Sequence, residues 1–313
     1  LIAEDYAPWL ASIADLGNDF SSEAINYYHP GAVREFMQRI SPWIDRKFAE
    51  DHLSLPEFRV EKVFLSLDGK HQKLYQDFVR HTLGVIKEEK GTIVSREVWN
   101  RFPYILQALD NPSLLEDKVD PEVSPVLYRQ IRDWKMEDNA KFEMCRTLVR
   151  KYVKEEGRRV IVWSEHPKTL DQLADLLREY KPVVIHGQIA NPEKKTQHQL
   201  KFDTLQGFRQ GQSTLLLASY RVLKQSVDIT ESNRSIYIDR SFDYTDWSQS
   251  IKRSHRIGQT EDVAIRPLIF SNSIDYIRDQ RLEQREKFNT DLFNSDSLTR
   301  EQWQNIFEGS ING

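Results

Sequence analysis

From residue 159 onward, short apolar runs alternate with amphipathic stretches, and this alternation constrains the fold more than any other feature of the chain. Val160-Ile161-Val162-Trp163, Val183-Val184-Ile185, Leu215-Leu216-Leu217-Ala218, Ser235-Ile236-Tyr237-Ile238 and Val263 to Ile269 read as strands. Between them, Pro167 to Tyr180 reads as a helix with Leu170, Leu173, Leu176 and Leu177 inward and Pro167 in its first turn. Asn191-Pro192 opens a second helix reaching about Arg209, and further helices are expected at about 245–256 and 273–290. A strand that is apolar throughout has no face for water, so the pattern predicts an α/β fold: a parallel sheet with helices flanking both faces.

Residues 1–158 follow a different grammar and read as mostly helix, at about 31–50, 69–88, 96–109, 123–134 and 138–156. Val60 to Leu67 alternates like one short strand, and residues 111–125, rich in Pro, Asp and Ser, read as a loop. A C-terminal segment, 291–313, contains a capping box at Thr299 to Gln302 followed by Trp303, Ile306 and Phe307 on one face. The expected organisation is therefore 1–158 mainly helical, 159–290 as the sheet domain and 291–313 as a helix or tail.

Composition narrows the function classes. Hydrophobic residues make up 39% and charged residues 29% of the chain, and no run approaches the length of a membrane helix. The single cysteine, Cys145, excludes an internal disulfide and fits a reducing interior, so an intracellular site (cytoplasm or nucleus) is expected. Cys145 falls in register with Phe142, Leu148, Val149 and Tyr152, a core position rather than a reactive thiol. The formal net charge of −4 argues against a generally basic coat but leaves room for a local basic groove. The eight histidines show no zinc spacing, and no metal site is expected in this chain. Gly69-Lys70 lacks the frame of a phosphate-binding loop.

The chemistry concentrates in Gln249-Ser250-Ile251-Lys252-Arg253-Ser254-His255-Arg256-Ile257-Gly258-Gln259. On a continuous helix Gln249, Arg253 and Arg256 share a face, and Gly258 can end that helix. Planar, permanently charged guanidinium groups suit the charge of a transferring phosphoryl group. This run resembles motif six of the superfamily II helicase-type ATPases, and its His-Arg-Ile-Gly-Gln tail resembles the Swi/Snf-like branch of DNA translocases.

Other segments carry the same resemblance over roughly residues 40–290. Val160 to His166 looks like motif four, His186-Gly187 like the family's pair after the next strand, and Phe208 like the end of the following helix. Leu106 to Leu115, Lys141, and Pro42 to Lys47 with Leu55-Pro56 are similar to segments upstream of the second lobe. Ser219 to Thr230 departs from motif five, because Leu223, Lys224 and Ser226 replace its three glycines. That loop must take another path or touch DNA through Arg221 and Lys224, the alternative being a solvated loop. Phe242 falls on the family's Trp position, open between stacking on a nucleotide and packing, while Trp247 reads as packing.

The resemblance implies a RecA-like, P-loop NTPase-like second lobe preceded by a mainly helical region. It implies Arg253, Arg256 and Gln249 as catalytic residues acting on ATP. It further implies Ser164, His186, Gly187, Ser219, Arg221, Lys224 and Phe242 as nucleic-acid contacts, chiefly to the phosphate backbone of double-stranded DNA. ATP and Mg2+ are expected to be held mainly by a first RecA-like lobe outside this chain, so the isolated chain is expected to be inactive. The alternative function is a non-catalytic RecA-like binding module with a degenerate motif five.

Overall fold

The computed structural model describes residues 14–17, 24–28, 54–67, 69–90, 95–188, 197–223, 228–241 and 244–293. The expected helix at 31–50, the Pro42 to Lys47 connector, the Asn191-Pro192 helix start and the capping box at 299–302 lie outside them. The chain divides into two units, one of Leu1–Leu53 with Asp279–Gly313 and one of Ser54–Arg278. In the first, β1 (Ala14–Gly17) and β2 (Ala24–Tyr28) form an antiparallel pair. Neither strand is among the elements expected from the sequence, the first of which is the helix at about 31–50.

The second unit is built on a seven-stranded sheet of β3 (Phe58–Val60), β4 (Val63–Leu65), β5 (Val160–Trp163), β6 (Val183–Ile185), β7 (Leu215–Ala218), β8 (Arg234–Tyr237) and β9 (Val263–Phe270). Its order is β3-β9-β8-β5-β7-β6, with β4 also on β9, and every pairing is parallel. Alternate residues of β5 and β7 face opposite sides. Val160, Val162, Leu215 and Leu217 join one buried cluster with Cys145 and Leu170, whereas Ile161, Trp163, Leu216 and Ala218 join another with Phe208 and Trp247. Burial on both faces is why these strands read as unbroken apolar runs.

Two strands come from ahead of residue 158, and the expected single strand from Val60 to Leu67 is split. Both halves keep one register on β9, Phe58 opposite Val263 and Val63 opposite Leu268. The interruption at Glu61-Lys62 has a cause on β9. Ile265 directs its carbonyl to Glu61 N–H at 2.8 Å, and Pro267, two residues on, has the same orientation but no N–H to return.

The helices are α1 (Gly69–Lys90), α2 (Ser95–Asp110), α3 (Pro125–Arg132), α4 (Ala140–Arg150), α5 (Pro167–Leu176), α6 (Gln197–Arg209), α7 (Tyr244–Ile251) and α8 (Ile274–Phe293). Helices α1 to α3 pack their own core of Leu74, Phe78, Ile105, Leu115, Leu127 and Ile131. The expected loop at 111–125 contains a 3-10 helix, Pro112–Lys118. Asn111 caps it by accepting Ser113 N–H at 3.3 Å, and Leu115 anchors it in that core. The predicted helix 138–156 is α-helical only to Arg150, continues as a π-turn over Lys151–Glu155, and ends at Gly157 with φ +65°.

Beneath α4 lies a buried ionic cluster. Lys141, 0% exposed, donates to Asp110 Oδ1 at 2.6 Å, Asp275 Oδ2 at 2.7 Å and the carbonyl of Ile238 at 2.9 Å. Arg278 pairs with Asp275 and donates to the Arg240 carbonyl at 2.9 Å. Burial opposes ionisation of Asp275, but Lys141, Arg278 and Arg240 outweigh it and hold its carboxyl well below the usual aspartate range.

Candidate nucleotide and nucleic-acid site

The parallel strands deliver their C-terminal tips to one edge of the sheet, the edge where ligands of such sheets bind. Ser164 follows β5, His186-Gly187 follows β6, Ser219 to Arg221 follows β7, and Asp239 follows β8. Backbone bonds hold neighbouring tips together, Ser164 N–H to the Ala218 carbonyl at 3.2 Å and Ser219 N–H to the Ile185 carbonyl at 2.9 Å.

At the centre of this edge is Asp239, a buried carboxylate that accepts from Ser164 Oγ, from Glu165 N–H at 2.8 Å and from the Tyr220 hydroxyl at 3.1 Å. Burial and the neighbouring Asp239 charge push the Tyr220 phenol well above its ordinary range, so it stays a donor. Glu165 extends the network, taking the Tyr220 hydroxyl at 2.9 Å on Oε2 and pairing with Arg221 through Oε1.

Five of the seven expected contact residues have a definite place here. Ser164 and Ser219 are buried, so their surroundings, not open space, face their side chains. His186 is also buried. Its Nδ1 accepts Gln188 N–H at 3.1 Å, which leaves Nε2 as the protonated nitrogen donating to Asp171 Oδ1 at 2.9 Å. Gly187 and Arg221 are exposed. Lys224 and Phe242 lie outside the described residues.

The loop after β7 explains how the chain tolerates the loss of glycine, at least as far as Leu223. Tyr220 and Leu223 are buried in the sheet core. Among the described non-glycine residues positive φ occurs only at Lys181 and Asn272, so Ser219 to Leu223 take conformations open to any side chain. Carbonyl O of Ser219 receives N–H of Val222 at 3.1 Å and of Leu223 at 3.2 Å, closing a turn.

The arginine run differs from the expected continuous helix at 245–256. Helix α7 stops at Ile251, and Arg253 and Arg256 do not share a helical face. The backbone leaves the α ladder at Arg253, whose N–H bonds the Ser250 carbonyl at 3.2 Å, three residues back rather than four. Tertiary bonds hold the turn that follows, the Arg253 carbonyl accepting Ile229 N–H at 3.2 Å and the Ser254 carbonyl accepting Gln259 Nε2 at 3.1 Å. The Gln259 amide also reaches the carbonyls of Thr230 and Ser232 at 3.2 and 3.3 Å, and its oxygen accepts N–H of Thr260 and Glu261. Gly258, at φ +100°, makes the turn that brings Gln259 back.

Consequently Arg253 is only 4% exposed, while the Arg256 side chain is 43% exposed and meets Asp228 at 2.5 Å. Burial and the nearby Arg256 charge lower the Arg253 pKa from its ordinary value, without neutralising a guanidinium at any physiological pH. Gln249 is exposed on α7, apart from buried Arg253. Trp247 is buried edge-on against Tyr237 with ring centroids 4.9 Å apart, as its packing role predicts. His255 Nε2 lies 2.8 Å from the Pro56 carbonyl. The turn therefore sits beside the chain entering β8 and β3, and the expected catalytic and nucleic-acid residues occupy opposite ends of the strands.

Sequence reasoning missed the Asp239, Glu165 and Tyr220 network and the Asp228 partner of Arg256. The available signal was positional, since Asp239 directly follows an apolar strand.

Residues 140–258 match the family described as helicase conserved C-terminal domain. The chain is 24% identical over 251 residues to "Chromodomain-helicase-DNA-binding protein 1-like" of Danio rerio, covering 79% of this chain and 23% of that protein. It spans about a quarter of the length of the curated relatives it matches. Among solved structures, the C-terminal part of the Fun30 ATPase domain superposes with a TM-score of 0.54 at 17% identity, covering 73% of this chain and 90% of that one. The Sulfolobus solfataricus SWI2/SNF2 ATPase core in complex with dsDNA gives a TM-score of 0.52 at 20% identity, covering 86% and 55%. These likenesses establish the fold as that of a RecA-like lobe of such ATPase cores.

Proposed function

We propose that this chain, whose residues 140–258 match a helicase conserved C-terminal domain, is the second-lobe half of a Swi/Snf-like ATP-dependent translocase or remodeller acting on double-stranded DNA. A first RecA-like lobe holds the ATP phosphates and Mg2+, and this lobe closes on it. Arg256 is the group best suited to meet the γ-phosphate, with Arg253 and Gln249 supporting the turn that presents it. The observation that carries this reading is the Gln259-braced turn, which leaves Arg256 exposed and paired with the exposed carboxylate of Asp228. An exposed pair of this kind contributes ~0–1 kcal/mol, so a phosphate competes with it readily. ATP supplies the transferable phosphoryl group, and the chain's part is to place positive charge where phosphoryl charge develops.

At the strand tips, Arg221 and the exposed backbone at Gly187 meet DNA phosphates, and the resemblance extends that role to Lys224 and Phe242. Ser164, His186 and Ser219 contribute by fixing that edge through their bonds. Phosphate contacts make binding sequence-tolerant and steeply dependent on salt. In the intact protein, Arg256→Ala should lower DNA-stimulated phosphate release by roughly 10³-fold or more while circular dichroism is unchanged. Hydrolysis at the parental rate in that variant refutes the assignment.

One observation favours a second reading. Tyr220 and Leu223 are built into the core where the resembled motif carries a phosphate-approaching loop, as suits a non-catalytic binding module. Absence of DNA-stimulated phosphate release from the intact protein decides for the module.

A further inference from the structure

Glu165 is anchored more firmly than the arginine it holds. Its backbone N–H donates to buried Asp239 at 2.8 Å, and its Oε2 accepts the Tyr220 hydroxyl at 2.9 Å. Its side chain is 21% exposed, against 61% for Arg221. When the pair opens, the long exposed arginine is the part that moves, and the carboxylate stays at the strand tips. Nor is the pair needed to satisfy its neighbours, because Tyr220 already reaches Asp239 at 3.1 Å. The carboxylate thus occupies the exposed cation of this edge from a fixed post, beside a second buried carboxylate.

We propose that Glu165 is an intramolecular competitor for the phosphate site of Arg221. It neutralises Arg221 in the free lobe and is displaced when a nucleic-acid phosphate arrives, so it sets the affinity and salt dependence of the strand-tip edge. This regulation rests on the proposed contact between Arg221 and DNA phosphate. The competitor is a formal charge in a semi-enclosed place, so a neutral isostere removes the competition without removing the hydrogen bond to Tyr220.

The test compares the intact protein with its Glu165→Gln, Arg221→Ala and double variants in duplex-DNA titrations across a salt series. Glu165→Gln should tighten binding about two- to fivefold at low salt, the worth of a partly exposed ion pair. The gain should shrink as salt rises and screens the ion pair, whereas Arg221→Ala, which loses one phosphate contact, should flatten the log–log slope by about 0.9. The double variant should bind like Arg221→Ala alone. Unchanged affinity and slope in Glu165→Gln, or the same gain in the Arg221→Ala background, overturns the proposal.

A second measurement needs no DNA. Phenylglyoxal should modify Arg221 faster in Glu165→Gln than in the parent, as read by peptide mass spectrometry, and equal rates overturn the competitor. If no variant binds DNA at low salt while the labelling difference stands, it is the DNA-contact reading that fails.

Discussion

Replacing Lys141 by methionine removes one charge from the buried cluster while keeping most of the unbranched side chain. Lys141 has no exposure and lies 2.6 Å from Asp110 and 2.7 Å from Asp275. A unit pair at that distance interacts by ~6 kcal/mol at an effective dielectric constant of about 20, and desolvation of the ammonium offsets much of this. The variant leaves two buried carboxylates to share Arg278. It also frees a buried acceptor at the Ile238 carbonyl. Breaking such a cluster from one side costs about 3–5 kcal/mol. For a domain of this size the loss lowers the melting temperature by roughly 6–20 °C, at about 2–4 °C per kcal/mol. Urea and thermal melts followed by circular dichroism measure it, with Lys168→Met, an exposed lysine, as the control expected to stay within about 0.5 kcal/mol. A Lys141→Met protein within about 1 kcal/mol of the parent refutes the view that these charges are mutually dependent.

Two further outcomes follow from buried titratable groups. The Asp275 carboxyl is held below its ordinary range, so its contribution is complete above the unfolded aspartate pKa of about 3.9 and is lost as pH falls through the lower folded value. Asp110, raised chiefly by burial, has the opposite sign and weakens the fold as pH rises between its unfolded and folded values. Asp275→Asn should therefore be destabilised at neutral pH but show a flatter loss of stability below about pH 4, and an acid slope equal to that of the parent counts against the assignment. The Cys145 thiol is fully buried and pushed far up by burial, so a thiol-disulfide reagent should leave the native protein unlabelled and react on unfolding. Rapid labelling under native conditions contradicts its place in the core.

The strands from 160 to 270 were legible because burial on both faces leaves a sequence trace, an unbroken apolar run. The split at Glu61-Lys62 was not, because its cause is Pro267, about two hundred residues away in the chain and opposite only once register is set. The end of α7 was hidden for a related reason. No proline or glycine marks the end at Ile251, and the bonds that hold the turn after it come from Ile229 and Gln259, distant or later in the chain. The 3-10 helix after Asn111 showed its cap and proline as turn signals, while the buried Leu115 that makes it ordered has no local mark. At the strand tips the family resemblance pointed to Ser164, His186, Ser219 and Arg221. It could not tell buried hydroxyls from available ones, nor find the carboxylates that hold them, since a charged residue in a sequence carries no sign of its depth. Lys141, Asp110 and Asp275 are the extreme case.

The missing N–H of Pro267 also matters for solubility. Among the described residues, β3 and β4 form one edge of the sheet and β6 the other, and the proline divides the first edge into two segments of three residues with Glu61-Lys62 between them. A foreign strand recruited there would find too few consecutive rungs and a pair of charges in mid-run. One imino acid inside the sheet thereby guards that border against fibrillar growth.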